Sequence, residues 1–377
     1  MFLFLISCAR LTNEGDSPLL QLLRAVPDNR ASRAYVVYGD PAAWHTSWDV
    51  PRIENVGDLE DLDDDERRLW MFVLTNQTIP PPALGVQNLL AEEMGDYYGF
   101  DFFGVDRFIY AGNPPDDLTI LSGAFDLETI DESLSDLDYD SDELDDSGVL
   151  YSLNDDFEIN LESPIRTGRL GELNRIVLQE ERLFIGRADE LVLDGVEALS
   201  GERDSLAENE EFAAAAAALA DPALSELGQL VGVIFMERDD FAEREMYLDQ
   251  GHPIAAETEY DTKLPRFELA VFATFHQEGE TTLALLLTLD DDEDAAETAE
   301  ILGDRLRDYV SVVTGQEMDD YWDYGDDLGL TAAGKPVAVV LVEVEDPDLD
   351  EASSGPPALF YWSRMLFQLD LFFLVEE

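Results

Sequence analysis

The chain has 377 residues and a hydrophobic fraction of 46%, with 20 Phe, 13 Tyr and 5 Trp, enough apolar matter for a sizeable core, so wholesale disorder is excluded. Its 85 acidic residues outnumber 22 basic ones, for a formal net charge of -63, and only Lys263 and Lys335 among the basic residues are lysines. That balance excludes a nucleic-acid binder, because no basic stripe exists to neutralise phosphates.

Residues 2–10 read "FLFLISCAR", and Leu5-Ile6-Ser7-Cys8 has the form of a lipobox: an aliphatic residue, a small residue just before the cysteine, and the cysteine that carries lipid. A secretory signal also has a charged n-region and about 7–15 apolar residues. Here seven residues precede Cys8 and none is basic. The polar "ARLTNEGDSP" that follows suits a tether between lipid and folded domain. Cys8 is the single cysteine, so neither an internal disulfide nor a cysteine metal cluster can form. The expectation is that residues 1–18 are a lipobox-like start and tether, anchored to a membrane through Cys8. The competing reading makes Phe2 to Ser7 an edge strand with a buried thiol.

Beyond the tether, "RAYVVYGD" (33–40) is β-branched and aromatic and predicts a first strand. "NLLAEEMGDYYGF" (88–100) places Leu89, Leu90, Met94, Tyr97 and Tyr98 on one helical face. A strand, the turn "NPPDD" and a second strand fill 106–126, and a helix follows with Leu127, Ile130, Leu134 and Leu137 inward. After an acidic run, "GVLYSL" predicts another strand. Residues 174–221 predict a short hairpin, a helix with Leu191, Val192, Val196 and Leu199 inward, and an alanine-rich helix. Ser205-Leu206-Ala207-Glu208 is a capping box expected to open that second helix. "QLVGVIFMERDDF" then predicts a strand.

Residues 267–290 predict a β-hairpin turning at Glu278-Gly279, followed by a helix with Ala295, Ala299, Leu302, Leu306, Tyr309 and Val313 on one stripe, and the strand "KPVAVVLVEVED". Hairpin, helix and strand therefore occur twice, about 160 residues apart, which implies a duplication. The C-terminal "ALFYWSRMLFQLDLFFLVEE" is broken by Arg364 and Asp370 and falls short of the ~18 uncharged residues of a membrane span, so it reads as buried core. The expected fold is α+β: antiparallel sheets from β-hairpins, helices packed on one face, and two related halves at 19–240 and 241–377.

The central stretch Leu183-Phe184-Ile185-Gly186, a helix, and then Ser205-Leu206 through Phe212, with "ILSGAFDLETIDESL" (120–134) upstream, resembles a family of bacterial and archaeal surface proteins defined only as a domain of unknown function. The resemblance covers about 100–220 and implies a secreted or lipid-anchored protein. It brings no activity with it.

Nucleophilic catalysis needs a base beside the nucleophile. The three histidines are His45, His252 and His276, and no HExxH pair, GxSxG elbow or P-loop occurs. His276 lies in an apolar strand pattern and reads as structural, and His45 between Trp44 and Trp48 reads as packing in preference to an aromatic binding patch. Asp136, Asp138, Asp140 and Asp142 alternate as in a calcium loop, but Ser141 and Ser147 stand where such a loop has Gly and Glu, leaving at most weak Ca²⁺ or Mg²⁺ binding. "DDYWDYGDD" (319–327) reads either as a surface for a sugar or cation or as a helix end with its aromatics turned inward. Asn76-Gln77-Thr78 is an N-glycosylation sequon.

So much like charge pushes a compact state apart in dilute saline. At multimolar salt the Debye length falls to about 3 Å or less and the repulsion is screened. Depleted lysine removes long apolar stems from the surface. The pattern resembles proteins of extreme halophiles, whose surface partners are salt cations. No cofactor is implied. The leading expectation is a lipid-anchored protein on the extracellular face of a halophile's membrane, acting as a non-enzymatic binding or structural module for an unspecified protein or small molecule. The alternatives are a soluble enzyme using carboxylates in a cleft and a cytoplasmic interaction protein.

Overall fold

The structure is a computed structural model and describes residues 16–76, 81–84, 93–144, 148–161, 163, 166–240, 260, 262–277, 279–291, 293–312, 315, 317, 322–345 and 357–375. The strands are β1 (Tyr35–Gly39), β2 (Val105–Ala111), β3 (Leu118–Gly123), β4 (Asp140–Glu143), β5 (Val149–Ser152), β6 (Arg175–Gln179), β7 (Arg182–Gly186), β8 (Gln229–Glu237), β9 (Phe267–Gln277), β10 (Glu280–Leu289), β11 (Asp323–Ala332) and β12 (Lys335–Glu345). They form one sheet in the order β11-β12-β10-β9-β8-β1-β2-β3-β7-β6-β5-β4, with every neighbouring pair antiparallel. The α+β expectation therefore takes the form of a single 12-stranded antiparallel sheet. It runs without a break past the expected division near residue 240, because β8 pairs with β1 on one side and β9 on the other.

The longer or site-bearing helices are α1 (Pro18–Leu23), α2 (Pro41–Ser47), α3 (Asp64–Asn76), α4 (Leu127–Asp136), α5 (Asp189–Ser200), α6 (Glu210–Leu219), α7 (Ala295–Arg307) and α8 (Pro357–Phe367). They cover both faces of the sheet, where the sequence reading placed them on one. Successive strand residues point to opposite faces, so Val37 of β1 joins one core while Val36 and Tyr38 join the other. Trp70 of α3, Ile130 and Leu134 of α4, Leu302 and Leu306 of α7, and Trp362 of α8 close the first core. Leu19 and Leu22 of α1, Val192 of α5, and Phe212, Ala215 and Leu219 of α6 close the second. Burial on both sides is why β9, β10 and β12 are nearly continuous apolar runs and not alternating ones.

The two edges are charged. In β4, "DSDE", all four residues are exposed, and β11 carries the exposed Asp323 and Asp326, which blunts edge-to-edge pairing. Neither edge strand was read from the sequence. Two local expectations also change. Asn209 caps α6, its Oδ1 accepting from Glu211 N at 3.1 Å, while Ser205 and Glu208 close a separate turn through Glu208 Oε2 and Ser205 N at 3.2 Å. Tyr97, expected on a buried face, is 40% exposed, whereas Met94 and Tyr98 are buried. Among the described residues, no helix is long and apolar enough to cross a membrane.

Candidate functional site

Where β1 ends, Asp40 becomes the N-cap of α2, its Oδ1 accepting from Ala43 N at 2.9 Å. Pro41 follows at the first helical position, where the missing N–H costs nothing. The other oxygen, Oδ2, accepts two further bonds: one from the Tyr38 hydroxyl at 2.9 Å and one from Arg107 Nε at 2.9 Å. Arg107 reaches Asp40 because β2 lies beside β1 in a register that sets Phe108 opposite Gly39. Asp40 is 5% exposed, so a buried carboxyl is fully occupied by three donors.

This trio forms the polar end of an open cleft of about 420 Å³, within the range of small-molecule sites. The remaining wall is largely apolar: Leu19 of α1, Leu219 and Ala220 at the end of α6, Leu230 of β8 and Phe275 of β9. Gly228 opens β8 at φ +120, and a Cβ there would collide with the His276 carbonyl, so only glycine brings this corner so close to β9.

Burial, reinforced by the neighbouring Asp40 carboxyl, pushes the Tyr38 phenol well above its ordinary value, so it stays protonated and acts as a donor. Burial pulls the Arg107 guanidinium down, but Asp40 more than offsets this and its pKa ends above the ordinary value. The bond to Asp40 uses Nε, and the Tyr38 hydroxyl also touches the guanidinium, whose side chain is 36% exposed. The arrangement can present a fixed, planar pair of donors to an acceptor entering the cleft.

The residues singled out from sequence lie elsewhere. Cys8 is outside the described residues, as are His252, Gln77 and Thr78; Asn76 is the last residue of α3. Asp136 ends α4, Asp138 has a left-handed backbone at φ 64, and Asp140 and Asp142 sit on β4, all four exposed. Among the described residues, no group of three or more His, Cys, Asp or Glu side chains is placed to hold a metal. His45 Nδ1 lies 3.2 Å from the Val50 carbonyl oxygen, and Trp44 Nε1 donates to the Val231 carbonyl at 3.0 Å. In 319–327 the described aromatics turn inward from a strand: Trp322 is 3% exposed against Trp362, and the Tyr324 hydroxyl donates to the Leu306 carbonyl at 3.0 Å. Asp40 and Arg107 were missed because each sat at the end of a predicted strand. The usable signal was the pair Asp40-Pro41, a helix start, directly after an apolar run.

No protein-family model and no curated protein matches the chain. Among solved structures, crystal form III of TP0453 is similar at a TM-score of 0.36 and 8% identity, covering 86% of this chain and 93% of that one. Crystal form I gives a TM-score of 0.31 and 7% identity over 88% and 94%, and crystal form IV gives 0.32 and 7% over 84% and 94%. Likeness at that level carries no argument about function.

Proposed function

We propose that the protein is a lipid-anchored cell-envelope protein of a halophile, tethered to the outer face of the membrane through Cys8, and that it works as a non-enzymatic binding module. The observation that carries the binding reading is the half-exposed Arg107 guanidinium, held by Asp40 at the polar end of an open, mostly apolar cleft. The acidic, lysine-poor composition supports the saline setting, and the lipobox-like Leu5 to Cys8 and the resemblance over 100–220 support the anchored one. An acid–base enzyme would place a carboxyl of raised pKa in its cleft. Burial raises Asp101, Glu172 and Asp194, and none of them lines this one.

The topology supports two related halves. The strands β1-β2-β3, then α4 and, after β4, β5 and β6, β7 returning beside β3, correspond to β8-β9-β10, then α7 and, after β11, β12 returning beside β10. In this reading the halves meet at the antiparallel β1–β8 pair, with the division just before Gln229 in place of 240/241. Mass spectrometry of the N-terminal peptide from native membranes tests the anchor. A diacylglyceryl thioether on Cys8 with residues 1–7 absent supports it, and an unlipidated Met1 peptide in the soluble fraction overturns it.

A further inference from the structure

We propose that the cleft takes a single-chain amphiphile bearing a carboxylate, with the carboxylate gripped by the two terminal nitrogens of Arg107 and the aliphatic chain laid against Leu219, Leu230 and Phe275. This rests on the reading of the cleft as the ligand site and names the class of ligand.

The head-group argument starts from the guanidinium. The guanidinium is held by the Nε bond to Asp40 and touched by the Tyr38 hydroxyl, and Asp40 is itself fixed by that hydroxyl and the Ala43 amide, so the half-exposed fork is positioned before any ligand arrives. A rigid fork with two parallel N–H donors matches a carboxylate in two-point geometry and gives a charge-assisted contact. The tail argument comes from the wall. Leu19, Ala216, Leu219, Leu230 and Phe275 offer little for a polar ligand body to bond to, whereas each methylene of an aliphatic chain gains about 0.8 kcal/mol on leaving water.

A formal charge of -63 would repel an anion in dilute buffer. At multimolar salt the Debye length of about 3 Å removes that repulsion and leaves the local contact to decide: the N–H donors of Arg107, whose charge Asp40 already pairs through Nε. The same salt drives the alkyl chain out of water. The site therefore suits an anionic amphiphile in brine, and its affinity for one rises with salt.

The test is calorimetric titration of the full chain in multimolar KCl with octanoate, octan-1-ol and octyltrimethylammonium. Octanoate is expected to bind roughly tenfold or more tighter than octanol, the size of one charge-assisted contact. Arg107→Gln is expected to bring octanoate down to the affinity of octanol. Ala220→Trp, which fills the exposed wall without touching the Asp40 bonds, is expected to weaken both, and it keeps the test decisive if Arg107→Gln does not fold. Equal affinity for octanoate and octanol, or a preference for the ammonium, overturns the carboxylate assignment and leaves the cleft as a binding site. Absence of binding by all three probes, together with no small molecule retained in native mass spectra of protein from its own cells, overturns the cleft as a ligand site altogether.

Discussion

Trp48 and His276 stack face to face, their ring centroids 3.8 Å apart and their planes 10° from parallel. Trp48 caps the C-terminal end of α2 and His276 lies near the end of β9, so the stack fastens the helix that begins at Asp40 to a strand across the β1–β8 seam. Both rings are buried, at 8% and 1% exposure. Trp48→Ala is expected to cost about 3–5 kcal/mol, the range for deleting a buried aromatic, and Trp48→Phe clearly less. Denaturant unfolding in multimolar KCl reads this directly. An unmoved midpoint in Trp48→Ala would show that the stack contributes nothing to holding α2.

Arg305 of α7 is 3% exposed, and its guanidinium ties down the end of the chain. It donates to the carbonyls of Phe373 and Val375 at 3.2 and 2.9 Å and twice to Thr262 at 3.1 and 2.7 Å, and it lies 4.4 Å from the centroid of the Tyr260 ring. Arg305→Met keeps the bulk but strands three carbonyls, each worth about 1–3 kcal/mol when buried without a partner. The expected result is a loss of about 3 kcal/mol or more and faster proteolysis beyond Phe367. Arg305→Lys should recover only part of it, since an ammonium lacks the fork. A tail that resists protease as well as the parent would refute the clasp.

The parts of the fold legible in the sequence are those where one local signal dominates. Ile130 and Leu134 announced α4 by spacing, and the apolar 267–290 stretch announced β9 and β10 on either side of Gly279. The errors trace to signals that depend on distant chain. β4 and β11 are edge strands; the acids of β4 and Asp323 and Asp326 of β11 are exposed while Asp327 turns to Arg307, so nothing in "DSDE" or "DYGDDLGLTA" alternates as a half-buried strand does. The second helical layer was hidden differently: the unbroken run Leu285-Leu286-Leu287 is itself the mark of burial on both faces, and the sequence reading takes it only as one arm of a hairpin. The site was illegible for a third reason. Asp40 and Arg107 are far apart in sequence, and only the β1–β2 register brings them together.

Salt dependence follows from the surface. The acidic residues of α3's first turn, Asp64, Asp65 and Glu66, and those of β4 are exposed with few cations near them, the partners being single pairs such as Arg67 to Asp64 at 3.8 Å. Such exposed pairs contribute about 0–1 kcal/mol each and cannot offset the collective repulsion. The fold is expected to loosen below roughly 1 M salt, where the Debye length grows beyond about 3 Å. Far-UV circular dichroism on dialysis into dilute buffer checks this, and a spectrum that does not change would refute it.

The tyrosines packed around β1 are expected to set the alkaline limit of stability. Burial pushes the Tyr35 phenol up to about 12, and burial together with Asp40 pushes Tyr38 well above the ordinary value of 10.0. Tyr35 packs edge-on against Tyr110, with centroids 6.3 Å apart, and burial raises Tyr110 as well. A group whose folded pKa is raised binds its proton more tightly when folded, so its contribution is fully present below pH 10 and is lost as the pH rises through the folded value, here about 12 for Tyr35. Stability is therefore expected to fall between pH 10 and 12, with phenolate absorbance rising late and together with unfolding. Tyr35→Phe keeps the ring and removes the proton, and is expected to move the alkaline midpoint upward. Phenols that titrate near pH 10 while the near-UV circular dichroism stays native would show that these rings are open to solvent and would refute the account of β1.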